Sequence, residues 1–102
     1  MRDDELPALD RVFEHGVRLG IAVLLARYDE VSFSRFKELL QQTDGSLGAQ
    51  LRKLEDTGYL SVRKEFRDRR PVTWYALSAK GRKALRVHLD ALQTLIRTAG
   101  HG

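Results

Sequence analysis

A mainly helical α+β fold is what this sequence predicts: a three-helix core, a small β-hairpin and a longer terminal helix. Three observations carry the prediction. SRFKELLQQ, from Ser34, and SLGAQLRKLEDTG, from Ser46, are two short amphipathic helices separated only by Thr43-Asp44-Gly45, which makes a helix-turn-helix over residues 34–58. YLSVRKEF and VTWYAL are strand-like runs flanking the arginine-rich loop RDRRP, which makes a basic hairpin over residues 59–77. Residues 79–97 then carry a leucine stripe at helical spacing.

Pro7 suits the first turn of a helix, and Leu6, Leu9, Val12 and Phe13 supply its apolar side. His15-Gly16 reads as a joint. Val17 to Tyr28 is apolar at 17, 21, 24, 25 and 28 and again at 19, 23 and 26, so this helix is covered on both sides, by the first helix, the last helix or a partner subunit. Val31-Ser32-Phe33 is a minimal strand, and Ser34 can cap the helix after it. That helix is apolar at Phe36, Leu39 and Leu40. Gly45 can take the positive φ that closes the turn. The next helix buries Leu47, Leu51 and Leu54 and ends at Gly58, where a C-terminal glycine belongs. On the returning strand Tyr75 and Leu77 read as core. Trp74 faces the other way, as an exposed platform, a dimer contact or a half-buried side chain. Ser78 caps the last helix, whose Leu85, Leu89, Leu92 and Ile96 fall at i, i+4, i+7 and i+11, widened by Ala84, Ala91 and Leu95. That is more aliphatic surface than one small core needs, so the stripe is expected to form a homodimer interface.

Composition sets the outer limits. A chain of 102 residues reads as a single domain over residues 1–102, with room for one modest core. Hydrophobic residues at 42 % and charged residues at 31 % fit an ordinary globular protein rather than a disordered one. No apolar run reaches the roughly 18 residues of a membrane span. MRDDELP lacks a hydrophobic signal core, so a cytoplasmic location is the expectation. With no cysteine, disulfides, thiolate metal sites and thiol redox sensing are excluded.

The formal net charge is +4, but its distribution says more. Residues 1–15 carry two basic and five acidic groups, residues 59–75 five basic and two acidic, and the segment from Ser78 five basic and one acidic. Segregation of this kind keeps the negative end away from a polyanion-binding hairpin. A helix that fits the major groove beside a cationic hairpin that reaches phosphates is a DNA reader's arrangement, and double-stranded DNA is the expected partner.

Projection of the second helix at 100° per residue puts Leu47, Leu51 and Leu54 inward and Ser46, Ala49, Arg52 and Lys53 outward, with Gln50 on one flank. Gln matches adenine N6 and N7, and Arg matches guanine O6 and N7. Thr43 sits at the helix N-terminus, where exposed amides attract phosphate. In the hairpin, Arg69 and Arg70 form the tip, Pro71 restricts it, and Arg67 and Lys64 extend the same patch.

In their order and spacing, TDGSLGAQLRKLEDTGYLSV and RRPVTWYALSAKG resemble the winged helix-turn-helix transcriptional regulators, the compact one-domain group related to the multiple-antibiotic-resistance and arsenic-resistance repressors. The resemblance runs from about Leu9 to Ile96. It implies a recognition helix in the major groove, a wing on the flanking backbone and a terminal helix that dimerises. The sequence departs from the pattern at Gly48, where a helix-favouring or polar residue would be less surprising.

Catalysis is not expected. The chain has no cysteine nucleophile, no glycine-rich phosphate loop, and no serine with a histidine and an acid at motif spacing. His15, His88 and His101 are scattered. His88-x-Asp90 is similar, in reversed order, to the metal pairs of the arsenic-repressor relatives, but its companion motif is missing, and a metal site needs three or four converging ligands. No metal and no other cofactor is expected. The reading from another class is a winged helix that docks protein partners, against which the basic hairpin argues.

Overall fold

The computed structural model describes residues 6–100, so His101 lies outside the described residues. A single 3₁₀ turn (Arg11–Glu14) leads into α1 (Gly16–Tyr28), β1 (Val31–Ser32), α2 (Phe33–Leu40), α3 (Asp44–Asp56), β2 (Leu60–Arg67), β3 (Arg70–Leu77) and α4 (Ala79–Gly100). The three strands form one antiparallel sheet in the order β1-β3-β2. Fold class and architecture agree with the sequence expectation, a helical core carrying a β-hairpin.

The first helix expected from Pro7 is absent. Residues 6–10 have no regular structure, and only Arg11–Glu14 turn, as 3₁₀. The cause lies at Asp10, whose groups all go to partners. Its Oδ1 accepts from the Val12 amide at 2.9 Å, its Oδ2 accepts from the Tyr59 hydroxyl, and its own amide donates to Nδ1 of His88 at 3.0 Å. Those bonds need the extended backbone seen at Asp10, ψ 119°. Phe13 then stacks on Tyr59, ring centroids 5.4 Å apart, and tilts against His88 at 5.3 Å. The segment is a strap tying the hairpin's base to α4. Burial, then the bond to Asp10, pushes the Tyr59 hydroxyl up to about 12.

His15 is the joint: its extended backbone ends the 3₁₀ turn, and its Nδ1 accepts from the Val17 amide at the start of α1. Ile21, Ala22 and Leu25 are the buried face of α1. The helix stops at Asp29 (φ 65°, ψ −50°), a tight γ-turn in which the Glu30 amide donates to the Tyr28 carbonyl at 2.6 Å. Ser32, not Ser34, caps α2: its extended backbone leaves the strand while Oγ accepts from the Arg35 amide at 3.2 Å. The break between α2 and α3 also sits earlier than expected. Gln41 takes the left-handed conformation (φ 55°), and Asp44 and Gly45 already belong to α3. A glutamine can hold that conformation here because its side-chain amide donates to the Glu38 carbonyl at 3.4 Å.

Leu47, Leu51 and Leu54 are buried as expected, and Gly58 ends the helix run at φ 87°. At the foot of the hairpin Leu60 pairs with Leu77 and Val62 with Tyr75. Asp68 and Arg69 form a two-residue turn, both at positive φ (51° and 66°), the hand that matches the twist of a hairpin. Ser78 caps α4, accepting from the Gly81 amide at 2.9 Å and donating to the Gly58 carbonyl at 2.6 Å. Gly81 is buried so tightly that a Cβ there would run into the Tyr59 backbone.

Candidate nucleic-acid interface

α3 is held at its N-terminal end. Thr43 Oγ1 accepts from the Ser46 amide at 3.2 Å, and Lys37 on α2 pairs with Asp44 at 2.8 Å. With its three leucines inward, the helix exposes Ser46, Ala49, Arg52 and Lys53, and Thr43 is exposed at its start. Thr43 spends its oxygen on the cap, so what it offers a phosphate is the helix N-terminus it organises. Ser46 Oγ donates to Gln42 Oε1 at 2.8 Å, which fixes its rotamer.

Gln50 sits on the flank, but its amide turns inward. Its Oε1 accepts from Arg18 Nη1 at 2.8 Å, while Arg18 Nε donates to the Val12 carbonyl at 2.6 Å. The guanidinium thus links the strap, α1 and α3. Arg18 carries no local sequence signal for this role, because its partners are 6 and 32 positions away.

The hairpin's cations are not one patch. Cross-strand partners share a face, so Arg63, Glu65, Arg67, Arg70, Val72 and Trp74 lie on one side, and Lys64, Phe66, Pro71 and Thr73 on the other. Pro71 lies within β3, paired with Phe66, and the tip proper is Asp68-Arg69. Arg63 is engaged internally: it bonds both Glu30 carboxylate oxygens, at 3.1 and 2.8 Å, and Glu65 at 2.8 Å. The Trp74 indole donates to Glu65 at 2.9 Å, and the guanidinium carbons of Arg63 and Arg67 lie 5.7 and 5.9 Å from its ring. Trp74 is therefore half-buried under arginines, not a bare stacking platform. These bonds hold the Glu30 and Glu65 carboxyls below their ordinary value, with Arg63's hydrogen bond the main cause for each. Arg67 approaches Glu65 only at 3.4 Å. Among the described residues Lys64, Arg69 and Arg70 have no carboxylate within ion-pair distance, so they are the hairpin's available cations, with Arg67 partly so.

Along α4 the leucine stripe divides. Leu85 is buried in its own chain beside His88 and Ala91, Leu92 is half-buried, and Leu89 and Ile96 are exposed. His88 is packed against Phe13 with Nδ1 occupied by Asp10's amide, a structural histidine. No group of three or more histidine, aspartate and glutamate side chains among the described residues could hold a metal. No helix among them is long and apolar enough to cross a membrane.

Two short helices presenting a polar face, followed by a cationic two-stranded wing, define a winged helix-turn-helix. Residues 17–96 match the family described as winged helix DNA-binding domain, and the chain belongs to it. It is 33 % identical over 79 residues to an uncharacterised protein of Methanocaldococcus jannaschii, covering 78 % of this chain and 86 % of that one. A transcriptional regulator homologue of Pyrococcus horikoshii superposes with a TM-score of 0.82 at 28 % identity, over 88 % of this chain and 89 % of that one. PadR of Bacillus subtilis, solved in complex with operator DNA, shares the fold at TM-score 0.66 and 19 % identity, over 74 % of this chain and 47 % of that one. The resemblance read from the sequence is thereby borne out at the level of fold and family, that of the winged helix DNA-binding domain.

Proposed function

We propose that this protein is a cytoplasmic, sequence-specific reader of double-stranded DNA that works as a homodimer and represses transcription by occupying a promoter. The observation that supports this best is the division of α3 into a buried leucine face and an exposed face of Ser46, Ala49, Arg52 and Lys53. Placed in a major groove, that face offers Arg52 for guanine and Ser46 and Lys53 for base or phosphate, with Ala49 short enough for close approach or contact with a thymine methyl. Lys64, Arg67, Arg69 and Arg70 on the wing then neutralise flanking phosphates. Gln50 must leave Arg18 before it can touch a base, so it is the weakest member of the expected contact set.

The dimer rests on the second half of α4. Leu89, Leu92 and Ile96 leave apolar surface that a two-fold copy of the same helix would seal. Two linked readers meet the same side of the duplex when half-sites are about 10–10.5 base pairs apart or a multiple of that. The test is a gel-shift titration of a random duplex pool at low and moderate salt, followed by sequencing of the retained DNA. The proposal expects salt-sensitive retention and enrichment of an inverted repeat. Failure to retain any duplex at low salt would refute it.

A further inference from the structure

Phe66 has no explanation in the fold. At 79 % exposure it is the most exposed of the large apolar side chains among the described residues. It lies on the sheet face whose foot, Leu60, Tyr75 and Leu77, packs against the core. At roughly 3.3 Å per residue the strand carries Phe66 about 13 Å beyond Val62, where no core remains to cover it. Its surroundings are cationic: Lys64 is on the same face, and Arg67, Arg69 and Arg70 close the tip. An apolar protein partner gains nothing from Lys64, Arg69 and Arg70, cations with no carboxylate within ion-pair distance among the described residues, whereas a nucleic acid complements both parts.

We propose that Phe66 is an apolar wedge that the wing drives against a base step in the minor groove flanking the recognition helix, and that it gives the protein a preference for deformable steps there. The inference rests on the DNA-binding reading above. Phenylalanine has no donor or acceptor with which to read a base edge, so its gain on a duplex comes from stacking and unstacking, as for other apolar minor-groove wedges. Pyrimidine–purine steps such as TA yield most readily and stiff A-tracts least. The ring is presented rigidly. Pro71 backs it across the strand, the two-residue turn closes the tip, and the Glu30–Arg63–Glu65 bonds fasten the opposite face to the turn after α1.

The test uses the duplex recovered from a random pool by the wild-type protein, with 2-aminopurine placed in turn at each flanking position. Wild type is expected to raise the probe's fluorescence at one flanking step and to prefer TA over AA there by about tenfold, the scale of one aromatic–base stack. Phe66→Ala should lose both signals while keeping the wild-type salt dependence, and Phe66→Trp should restore them. Phe66→Ala that keeps the fluorescence change and the step preference overturns the proposal. So does a variant that changes only the melting temperature, since Phe66 would then merely brace Pro71. A wild type that retains no duplex is a different result, which removes the DNA reading itself.

Discussion

α3 buries all three of its leucines, at 0, 2 and 0 % exposure, whereas α4 buries Leu85 at 3 % but leaves Leu89 at 41 % and Ile96 at 70 %. The two helices share a periodicity and differ in what the rest of the chain can cover. α3 lies among α1, α2 and the foot of β2, so its apolar face is fully used and a polar, cationic face remains. α4 runs 22 residues, about 33 Å at 1.5 Å per residue; Gly81 meets Tyr59, His88 meets the strap, and Ala91 is its last buried residue. What each helix leaves uncovered differs in kind. The polar remainder of α3 suits a polyanion and the aliphatic remainder of α4 suits another apolar surface. A leucine stripe in the sequence therefore marks a face that wants cover, and only the packing decides whether the chain itself supplies it.

The anchored half of α4 is the more sensitive to substitution. Gly81→Ala forces a methyl into the Tyr59 backbone, which cannot give way as a flexible side chain would. We expect a loss of about 3 kcal/mol in a urea melt, the upper part of the overpacking range. The free half should respond differently. Leu89→Glu with Leu92→Glu places charge where the proposed dimer seals, and should weaken dimerisation at least about a hundredfold, or roughly 2.7 kcal/mol. Light scattering and circular dichroism check both parts, and a folded double mutant of unchanged mass would remove α4 from any interface.

Much of this architecture was legible in the sequence, because α3, the hairpin and α4 announce themselves through local periodicity and turn residues. What was not legible depends on distant partners. Leu6, Leu9, Val12 and Phe13 satisfy helical spacing, but they serve a strap equally well once Asp10 bonds Tyr59 and His88, 49 and 78 positions away. Ser32 and Ser34 are both able caps, and the end of β1 chooses the first. Gln41 takes a conformation usually left to glycine, so Gly45 was the natural but mistaken choice for the turn. At the candidate site the outward face of α3 followed from its leucines, while Gln50's commitment to Arg18 and the split of the wing's cations between two faces did not. Alternation alone would also have put Phe66 with the core; the core ends before the strand does.

Smaller changes sharpen the contrast. Tyr59→Phe removes the strap's bond to Asp10 and should cost about 1 kcal/mol near neutral pH. In the wild type this hydroxyl titrates at about 12 against 10.0 for an ordinary tyrosine, so its contribution is complete below pH 10 and is lost as pH rises through about 12. Alkaline unfolding followed by circular dichroism should lose that component in the variant. Gly48→Ala acts on α3 in the opposite direction. A Cβ there meets nothing within 4 Å, so the helix should gain roughly 0.5–1 kcal/mol from the better helix former. A gain in thermal stability with weaker DNA binding would show that the glycine is kept for close approach to the duplex.

The central claim is that the wing's available cations lie on DNA phosphates. The most direct measurement is the slope of log K against log salt for wild type and for Arg69→Ala with Arg70→Ala, on specific and random duplexes. Loss of two phosphate contacts should reduce the slope by up to ~2 and weaken both duplexes about equally. An unchanged slope would place the wing off the DNA and contradict the account.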